Sequence, residues 1–134
     1  MRKSSILLFT ILLIFLLVQC NRKEESRLHE RLTQMATALN ESAPVMLDRY
    51  TRFEEASVTD ENHFRYRYTV LNTENPDSLL TERLETLIDN IRTMFSTSDE
   101  LAVFRDNSVV LEYIYLNEQQ ETLRFIAIDP EAYQ

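Results

Sequence analysis

The sequence predicts an α+β fold, in which a four-stranded antiparallel sheet packs against helices in the order α-β-β-α-β-β. Two observations lead to this prediction. Apolar residues recur every three or four positions over residues 24–40 and again over 76–95, which is the period of an amphipathic helix. Each of these segments precedes two short stretches in which apolar and polar residues alternate around a turn, a pattern typical of a β-hairpin. The repeated order indicates that an αββ unit occurs twice in the chain. We expect the helices and the four-stranded sheet to form one domain.

The first half of the chain contains a helix and a hairpin. The helix covers residues 24–40, and Pro44 ends it. Its apolar stripe consists of Leu28, Leu32, Met35 and Leu39. Strands are predicted over residues 52–58 and 63–71, on either side of a turn at 59–62. In the second strand aromatic side chains alternate with arginines, so one of its faces is aromatic and the other is polar.

The second half repeats this order. Asn75 and Pro76 mark the start of a helix, because Asn is a favoured cap and Pro is favoured in the first turn. A short helical turn is predicted over residues 99–104. Strands over 108–116 and 122–129 then form a second hairpin around a five-residue turn.

The composition excludes several classes of function. The chain has no glycine, so phosphate-binding loops, dinucleotide-binding turns and nucleophile elbows are absent in their usual form. Its turns must rely on Asn, Asp and Pro instead. The net charge is −8, and it becomes −10 if Arg2 and Lys3 leave with a signal peptide. Such an acidic protein is repelled by nucleic acid, so nucleic acid is not an expected partner.

The N-terminus has the pattern of an export signal. Arg2 and Lys3 precede an apolar run from Ile6 to Val18, which is too short for a membrane-spanning helix and suits a signal peptide. Leu17-Val18-Gln19-Cys20 resembles the lipobox of bacterial lipoproteins, in which the cysteine is acylated. The resemblance implies a signal peptide over residues 1–19, a lipidated cysteine and tether over 20–25, and a single domain over 26–134. An uncleaved N-terminal anchor helix is the alternative.

The residues after Cys20 bear on the location of the protein. Lys23-Glu24-Glu25 resembles the surface-export signal of lipoproteins in the Bacteroidota. This resemblance implies the outer membrane, where acyl chains on Cys20 would hold the protein on the bilayer. The alternative is a solvated tether with no export role, which leaves the periplasmic and the surface-exposed leaflets both open.

The last hairpin has two apolar faces. One carries alternating tyrosines, and we expect the other to carry Val110, Ile114, Leu116, Ile126 and Ile128. A strand that is open to water on one side should alternate cleanly between apolar and polar residues. We therefore expect a helix over each face of the sheet. If the helices share one face instead, the second apolar face becomes a contact surface for a partner.

Two arginines are candidate ligand-binding residues. Arg65 and Arg67 project from the same face of a strand, where an arginine pair can bind a carboxylate or a phosphate. The favoured alternative is cross-strand pairing with Glu54 or Glu55. Glu112 and Arg124 are predicted to form a neighbouring ion pair.

No residue pattern points to catalysis, a metal or a cofactor. His29 and His63 are the only histidines, and neither has a metal-ligand partner at helical spacing. The mature domain resembles small uncharacterised bacterial domains that carry a Tyr-x-Tyr strand in each hairpin, which implies the αββαββ fold and no activity. The sequence therefore predicts a membrane-anchored accessory, adaptor or inhibitor-like module that binds a protein at the cell envelope. The alternative is a receptor for a small molecule or a peptide that uses Arg65 and Arg67.

Overall fold

The structure, a computed structural model, describes residues 22–134. The predicted signal peptide, the lipobox-like motif and Cys20 lie outside the described residues. Three helices and five strands follow one another in the order α-β-β-β-α-α-β-β. The helices are α1 (residues 22–40), α2 (Pro76–Thr97) and α3 (Ala102–Asp106), and the strands are β1 (Val45–Met46), β2 (Thr51–Val58), β3 (Phe64–Val70), β4 (Leu111–Leu116) and β5 (Thr122–Ile128). Two 3-10 turns, Asp99–Leu101 and Pro130–Ala132, precede α3 and follow β5.

The sheet has five strands in the order β1-β2-β3-β4-β5, which confirms the α+β class and corrects the predicted number of strands. The pair β3–β4 is parallel, whereas the other three pairs are antiparallel, so the predicted all-antiparallel sheet is also wrong. The reason lies in the connection. The chain leaves the end of β3, passes through α2 and α3, and returns to begin β4 beside the start of β3, which is the crossover that parallel strands require.

The helices form largely where the apolar period predicted them. Within the described residues, α1 begins at residue 22, two residues before its predicted start and within the segment that was expected to be the tether. Pro76 occupies the first turn of α2 as predicted, and Asn75 takes the cap position without making a side-chain cap hydrogen bond. The short helical turn after α2 exists as a 3-10 turn that continues into α3, with Ser98 before it.

Both hairpins contain a β-bulge. In β2, Phe53 pairs with Tyr68 but Glu55 pairs with Arg67, so Glu54 is an extra residue. In the second hairpin, Leu116 pairs with Thr122 whereas Tyr115 pairs with Arg124, so Leu123 is an extra residue of β5. Since side chains alternate between the faces, each bulge moves the residues beyond it to the opposite face.

All three helices contribute to one apolar cluster on a single face of the sheet. The buried members on the helices include Leu32, Ile91 and Phe104, while those on the strands include Phe64 and Leu111. Phe104 lies 5.1 Å from Phe64 and 5.0 Å from Phe95 between ring centroids, in edge-to-face contacts that join α2, α3 and β3. The expectation of a helix over each face is therefore wrong. The helices share one face, and we call the other face the open face.

The chain forms its turns without glycine by placing other residues in the left-handed region. Asn62 and Asn72 have φ values of 63° and 56°, as the predicted Asn-based turns require. Ser108 and Gln120 adopt φ values of 50° and 66° at two further turns. Asn is the residue type that tolerates this region best after glycine, which explains its use before β3 and before α2.

The two edges of the sheet differ in how they are covered. On the β1 side, the Asn40 side chain at the end of α1 accepts a hydrogen bond from the Ala56 N–H (2.6 Å) and donates one to the Ala56 carbonyl (2.8 Å). Asn40 therefore occupies backbone groups on the outer side of β2, in the part of this strand that the two-residue β1 does not pair with. On the other side, β5 has no neighbouring strand beyond it within residues 22–134. We call this outer side the β5 edge.

Candidate functional site

Four tyrosines form a stack on the helix-covered face, and we call them the tyrosine stack: Tyr66, Tyr68, Tyr113 and Tyr115. The parallel register places Tyr66 beside Tyr113, and Tyr68 beside Tyr115. Their ring centroids are 4.9 Å and 5.1 Å apart, and both pairs of planes are tilted by only 17°. Burial raises the pKa of each of the four phenols above the ordinary value of 10, so the stack stays uncharged further into the alkaline range.

An apolar groove of about 270 Å³ lies between α2 and this stack, and we call it the tyrosine groove. The stack forms its floor, and Leu80, Leu87 and Ile91 of α2 form its wall. Two large apolar side chains at its rim are exposed to solvent, Leu47 at 58% and Met94 at 49%. Exposed large apolar side chains around a concave apolar surface are typical of a binding site.

A charged bridge crosses the mouth of the tyrosine groove. Arg83 of α2 lies 3.8 Å from a carboxylate oxygen of Asp48, and its guanidinium lies 5.3 Å from the centre of the Tyr50 ring. The other carboxylate oxygen of Asp48 accepts hydrogen bonds from the backbone N–H groups of Tyr50 and Thr51, at 2.6 Å and 2.9 Å. Asp48 is therefore held in place by its own turn. The bridge links α2 to the segment that carries Leu47.

The open face carries a buried carboxylate with two basic partners. Glu112 is only 7% exposed, and its two oxygens accept from His63 Nδ1 (2.8 Å) and from Arg65 Nε (2.7 Å). Burial by itself raises the pKa of a carboxyl group. The hydrogen bonds and charges of His63 and Arg65 outweigh that effect and lower the pKa of Glu112. Arg65 is thus paired with a protein carboxylate.

The second candidate arginine is also paired. Arg67 lies 3.3 Å from Glu55, which confirms the predicted cross-strand pairing for this residue. The partner of Arg65 is Glu112 of the neighbouring parallel strand, not Glu54 or Glu55, because β3 and β4 lie side by side. The predicted pair between Glu112 and Arg124 is therefore wrong. Arg124 turns to the other face, where it binds Asp77 and Thr81 in the first turns of α2.

The predicted apolar patch is divided between the two faces of the sheet. Ile114 faces the open side beside Phe125, whereas Ile126 and Ile128 face the helices opposite Tyr113 and Leu111. The Leu123 bulge causes this difference, because the register without a bulge would have placed all three isoleucines together. Val110 lies before β4 and is half-buried in a polar cleft. The open face therefore carries Ile114 and Phe125 as its apolar centre, and Phe125 is 55% exposed.

That polar cleft, of about 490 Å³, lies between the start of α1 and the turns before β3 and β4. His29 donates from Nδ1 to the Asn62 side-chain oxygen at 2.8 Å, and His63 lies beside it with Nδ1 bound to Glu112. The His29 bond joins α1 to the β2–β3 turn, and the His63 bond joins that turn to β4. Residues 22–134 contain no group of three His, Cys, Asp or Glu side chains that could hold a metal ion.

The membrane-related predictions fall mainly on the undescribed part of the chain. Cys20 and the apolar run before it are not among the described residues. In the part of the chain that is described, no helix has the length and apolar character needed to cross a bilayer.

The tyrosine groove was missed at the sequence level, although its signal was visible. Each hairpin contains a Tyr-x-Tyr strand, at Tyr66–Tyr68 and at Tyr113–Tyr115. In the predicted antiparallel sheet, nothing indicated that the two Tyr-x-Tyr motifs lie side by side. Only the parallel β3–β4 pairing places them in register and builds one aromatic floor.

Solved structures share this fold. A protein from Pseudomonas aeruginosa, described as secreted, superposes with a TM-score of 0.69 at 9% identity, over 82% of this chain and 96% of that one. EpsS from Vibrio vulnificus, a pilotin from the type 2 secretion system, gives a TM-score of 0.62 at 11% identity, over 84% and 96%. AspS from Vibrio cholerae, a type II secretion system pilotin, gives 0.60 at 11% identity, over 83% and 96%. At such low identity the likeness shows the fold.

Comparison of sequences gives the family. No curated protein matches the chain. A family model described as a domain of unknown function, DUF8479, matches residues 27–125, which run from the first turns of α1 to the middle of β5. This match includes the β2–β3 hairpin, β4 and the tyrosine stack. The chain therefore belongs to the DUF8479 family.

Proposed function

We propose that this protein is a lipid-anchored accessory protein of the bacterial cell envelope, which binds a protein partner through the tyrosine groove. The observation that carries the proposal is the groove itself, with its aromatic floor and the exposed Leu47 and Met94 at its rim. No catalytic role is proposed.

The chemistry of the groove favours an apolar segment of a protein over a charged small molecule. Its floor and wall offer phenol rings and aliphatic side chains, and the ionic groups at its mouth, Asp48 and Arg83, bind each other. Full burial of a large apolar side chain contributes about 1.5–3 kcal/mol, so covering the half-exposed Leu47 and Met94 would contribute roughly half of that for each. The acidic chain, with a net charge of −8, would attract a partner whose surface is basic around the inserted segment.

The fold supports an accessory role. Two of the solved structures with this fold are pilotins of type II secretion systems, and we take that kind of component as the model for this protein. The lipobox-like Leu17-Val18-Gln19-Cys20 supplies the predicted anchor. A lipid-anchored protein with an apolar groove would hold its partner at the membrane, which we propose to be the outer membrane.

The geometry gives less support to a receptor that uses Arg65 and Arg67. Both guanidinium groups already pair with carboxylates, and both project from the open face. The tyrosine groove lies on the other side of the sheet, so Arg65 and Arg67 do not converge on one pocket with its aromatic floor.

Photo-cross-linking in native membranes tests the proposal. A photoreactive residue replaces Met94 in the full-length protein, and cross-linked products are purified from the membrane fraction. We expect one dominant protein partner, and we expect Leu47→Asp to reduce its yield about tenfold, which corresponds to about 1.4 kcal/mol. Leu39→Asp is the matched control, since Leu39 is an exposed leucine on α1 outside the groove.

The anchor is tested in the same cells. The wild-type protein should incorporate labelled fatty acid, and Cys20→Ser should abolish this incorporation. Equal cross-linking in the Leu47→Asp and Leu39→Asp variants would contradict the role of the groove. Absence of labelled fatty acid from the wild-type protein would contradict the lipid anchor and would favour an uncleaved N-terminal helix.

A further inference from the structure

We infer that the β5 edge is a second docking surface, which accepts an extended segment of a protein partner as an additional strand of the sheet. β5 is seven residues long, from Thr122 to Ile128. Within the described chain, β4 is its sole strand neighbour, and no turn or loop backbone bonds to these seven residues. A strand of this length with a free outer side offers a row of backbone donors and acceptors to another chain.

The molecule covers the opposite edge but leaves this one open. Proteins normally protect an edge strand with charges, with proline or with a covering element. β2 is protected by β1 and by Asn40, which binds both backbone groups of Ala56. β5 carries a single charged residue, Arg124, whose side chain binds Asp77 and Thr81 of α2 and donates to one β5 carbonyl, that of Leu123, at 2.7 Å.

A cleft of about 420 Å³ runs beside the β5 edge on the helix-covered side. Ile126 and Ile128 of β5 line it on one side, and Ile88 of α2 lines it on the other. Side chains of an added strand alternate between the two faces of the sheet. One set would therefore enter this apolar cleft, while the other set would lie beside the exposed Phe125 on the open face.

The charges around the cleft indicate what kind of segment fits. Asp129 and Glu131 lie at the end where β5 finishes, and Arg92 lies on the α2 side. A segment with small apolar residues at alternate positions and a Lys or Arg beside Asp129 would match this arrangement. A second copy of the chain fits less well, since two copies with a net charge of −8 repel each other.

The β5 edge is separate from the tyrosine groove. Leu47, at the rim of the groove, follows β1, and β1 and β5 are the two opposite edges of the sheet. The inference therefore goes beyond the proposed function. If an experiment ruled out binding at one of these two surfaces, the proposal for the other surface would be unaffected.

Amide hydrogen exchange of the full-length protein in detergent tests the inference. The probe is a synthetic nonapeptide in which Val and Thr alternate and Lys occupies one end. The control peptide has the same side chains, but its alternate backbone nitrogens are methylated so that they cannot pair as a strand. We expect the parent peptide to slow exchange at the outward-facing amides of Thr122–Ile128 by at least about tenfold, and the methylated peptide to leave them unchanged.

Two variants complete the test. Ala127→Lys places a charge on an exposed residue of β5, and Ile88→Glu places one in the cleft, so both should remove the protection by the peptide. Leu84→Glu is the matched control, since Leu84 is a half-buried residue of α2 that lines neither surface. Unchanged β5 exchange with the parent peptide would overturn the inference, as would equal protection by the methylated peptide. A concentration-dependent dimer whose formation itself protects β5 would assign the edge to a second copy and would also overturn it.

Discussion

Replacing Glu112 by Gln is the most informative test of how the open face is held together. The substitution keeps the size of the side chain but removes the negative charge that binds both His63 and Arg65. Glu112 is 7% exposed, so the loss occurs at a buried position and water cannot fully replace it. The two basic partners would remain beside a neutral amide.

The size of the effect follows from the exposure of the partners. A hydrogen bond to a charged group contributes about 1.5–3 kcal/mol when it is well buried. His63 and Arg65 are each more than one third exposed, so we reduce this to about 1 kcal/mol for each bond. Glu112→Gln should therefore lower the free energy of unfolding by about 2 kcal/mol. For a domain of this size, that corresponds to a decrease in Tm of roughly 6–10 °C.

The free energy that the negative charge of Glu112 contributes to stability should depend on pH. The pKa of Glu112 is lowered in the folded state, so its contribution is present at neutral pH and is lost as the pH falls through the folded pKa, below the ordinary value of 4.5. Urea unfolding at pH 7 and at successively lower pH should show the wild-type advantage disappear in that acidic range. Glu55→Gln is the control, because the Glu55 side chain is 49% exposed whereas that of Glu112 is 9% exposed. Equal losses in the Glu112→Gln and Glu55→Gln variants at pH 7 would refute the reasoning.

Three further predictions concern the core, the sheet edge and the tyrosine stack. Phe104→Ala should lower the free energy of unfolding by about 3–5 kcal/mol in urea titrations, because Phe104 is fully buried between the rings of Phe64 and Phe95. Asn40→Ala should cost about 1–3 kcal/mol and speed amide exchange at Ala56, whereas a loss below about 0.5 kcal/mol would show that water replaces the side chain. An alkaline absorbance titration should show the four phenols of the stack still protonated at about pH 11, and their early ionisation without unfolding would contradict the raised pKa values.

Local patterns predicted the elements well. The three-to-four-residue period placed α1 and α2, and the Asn75-Pro76 pair placed the start of α2 at the correct residue. Alternation identified β2, β3, β4 and β5 to within a few residues of their ends. β1 was missed because two residues after Pro44 are too few to show a period, and this strand exists only through its pairing with β2.

Features that depend on distant residues could not be predicted in the same way. The direction of β4 relative to β3 depends on how α2 and α3 cross the sheet. The alternation of apolar and polar residues in a strand is the same whether its neighbour is parallel or antiparallel, so it does not reveal this direction. The bulge at Leu123 adds one residue that no composition rule marks, yet it changes the face of Ile126 and Ile128. The ionic partner of Arg65 and the common floor of the groove both follow from that parallel register.

The tyrosine stack also makes the protein its own optical reporter. The chain contains no tryptophan, so tyrosine dominates its near-ultraviolet absorption and its intrinsic fluorescence. Tyr68 and Tyr113 lie 6.2 Å apart with ring planes only 2° from parallel, a spacing at which the electronic transitions of neighbouring rings couple. A molecule that enters the tyrosine groove touches these coupled rings directly. Unlabelled protein can therefore be screened for ligands by near-ultraviolet circular dichroism, with a signal that originates at the proposed binding surface.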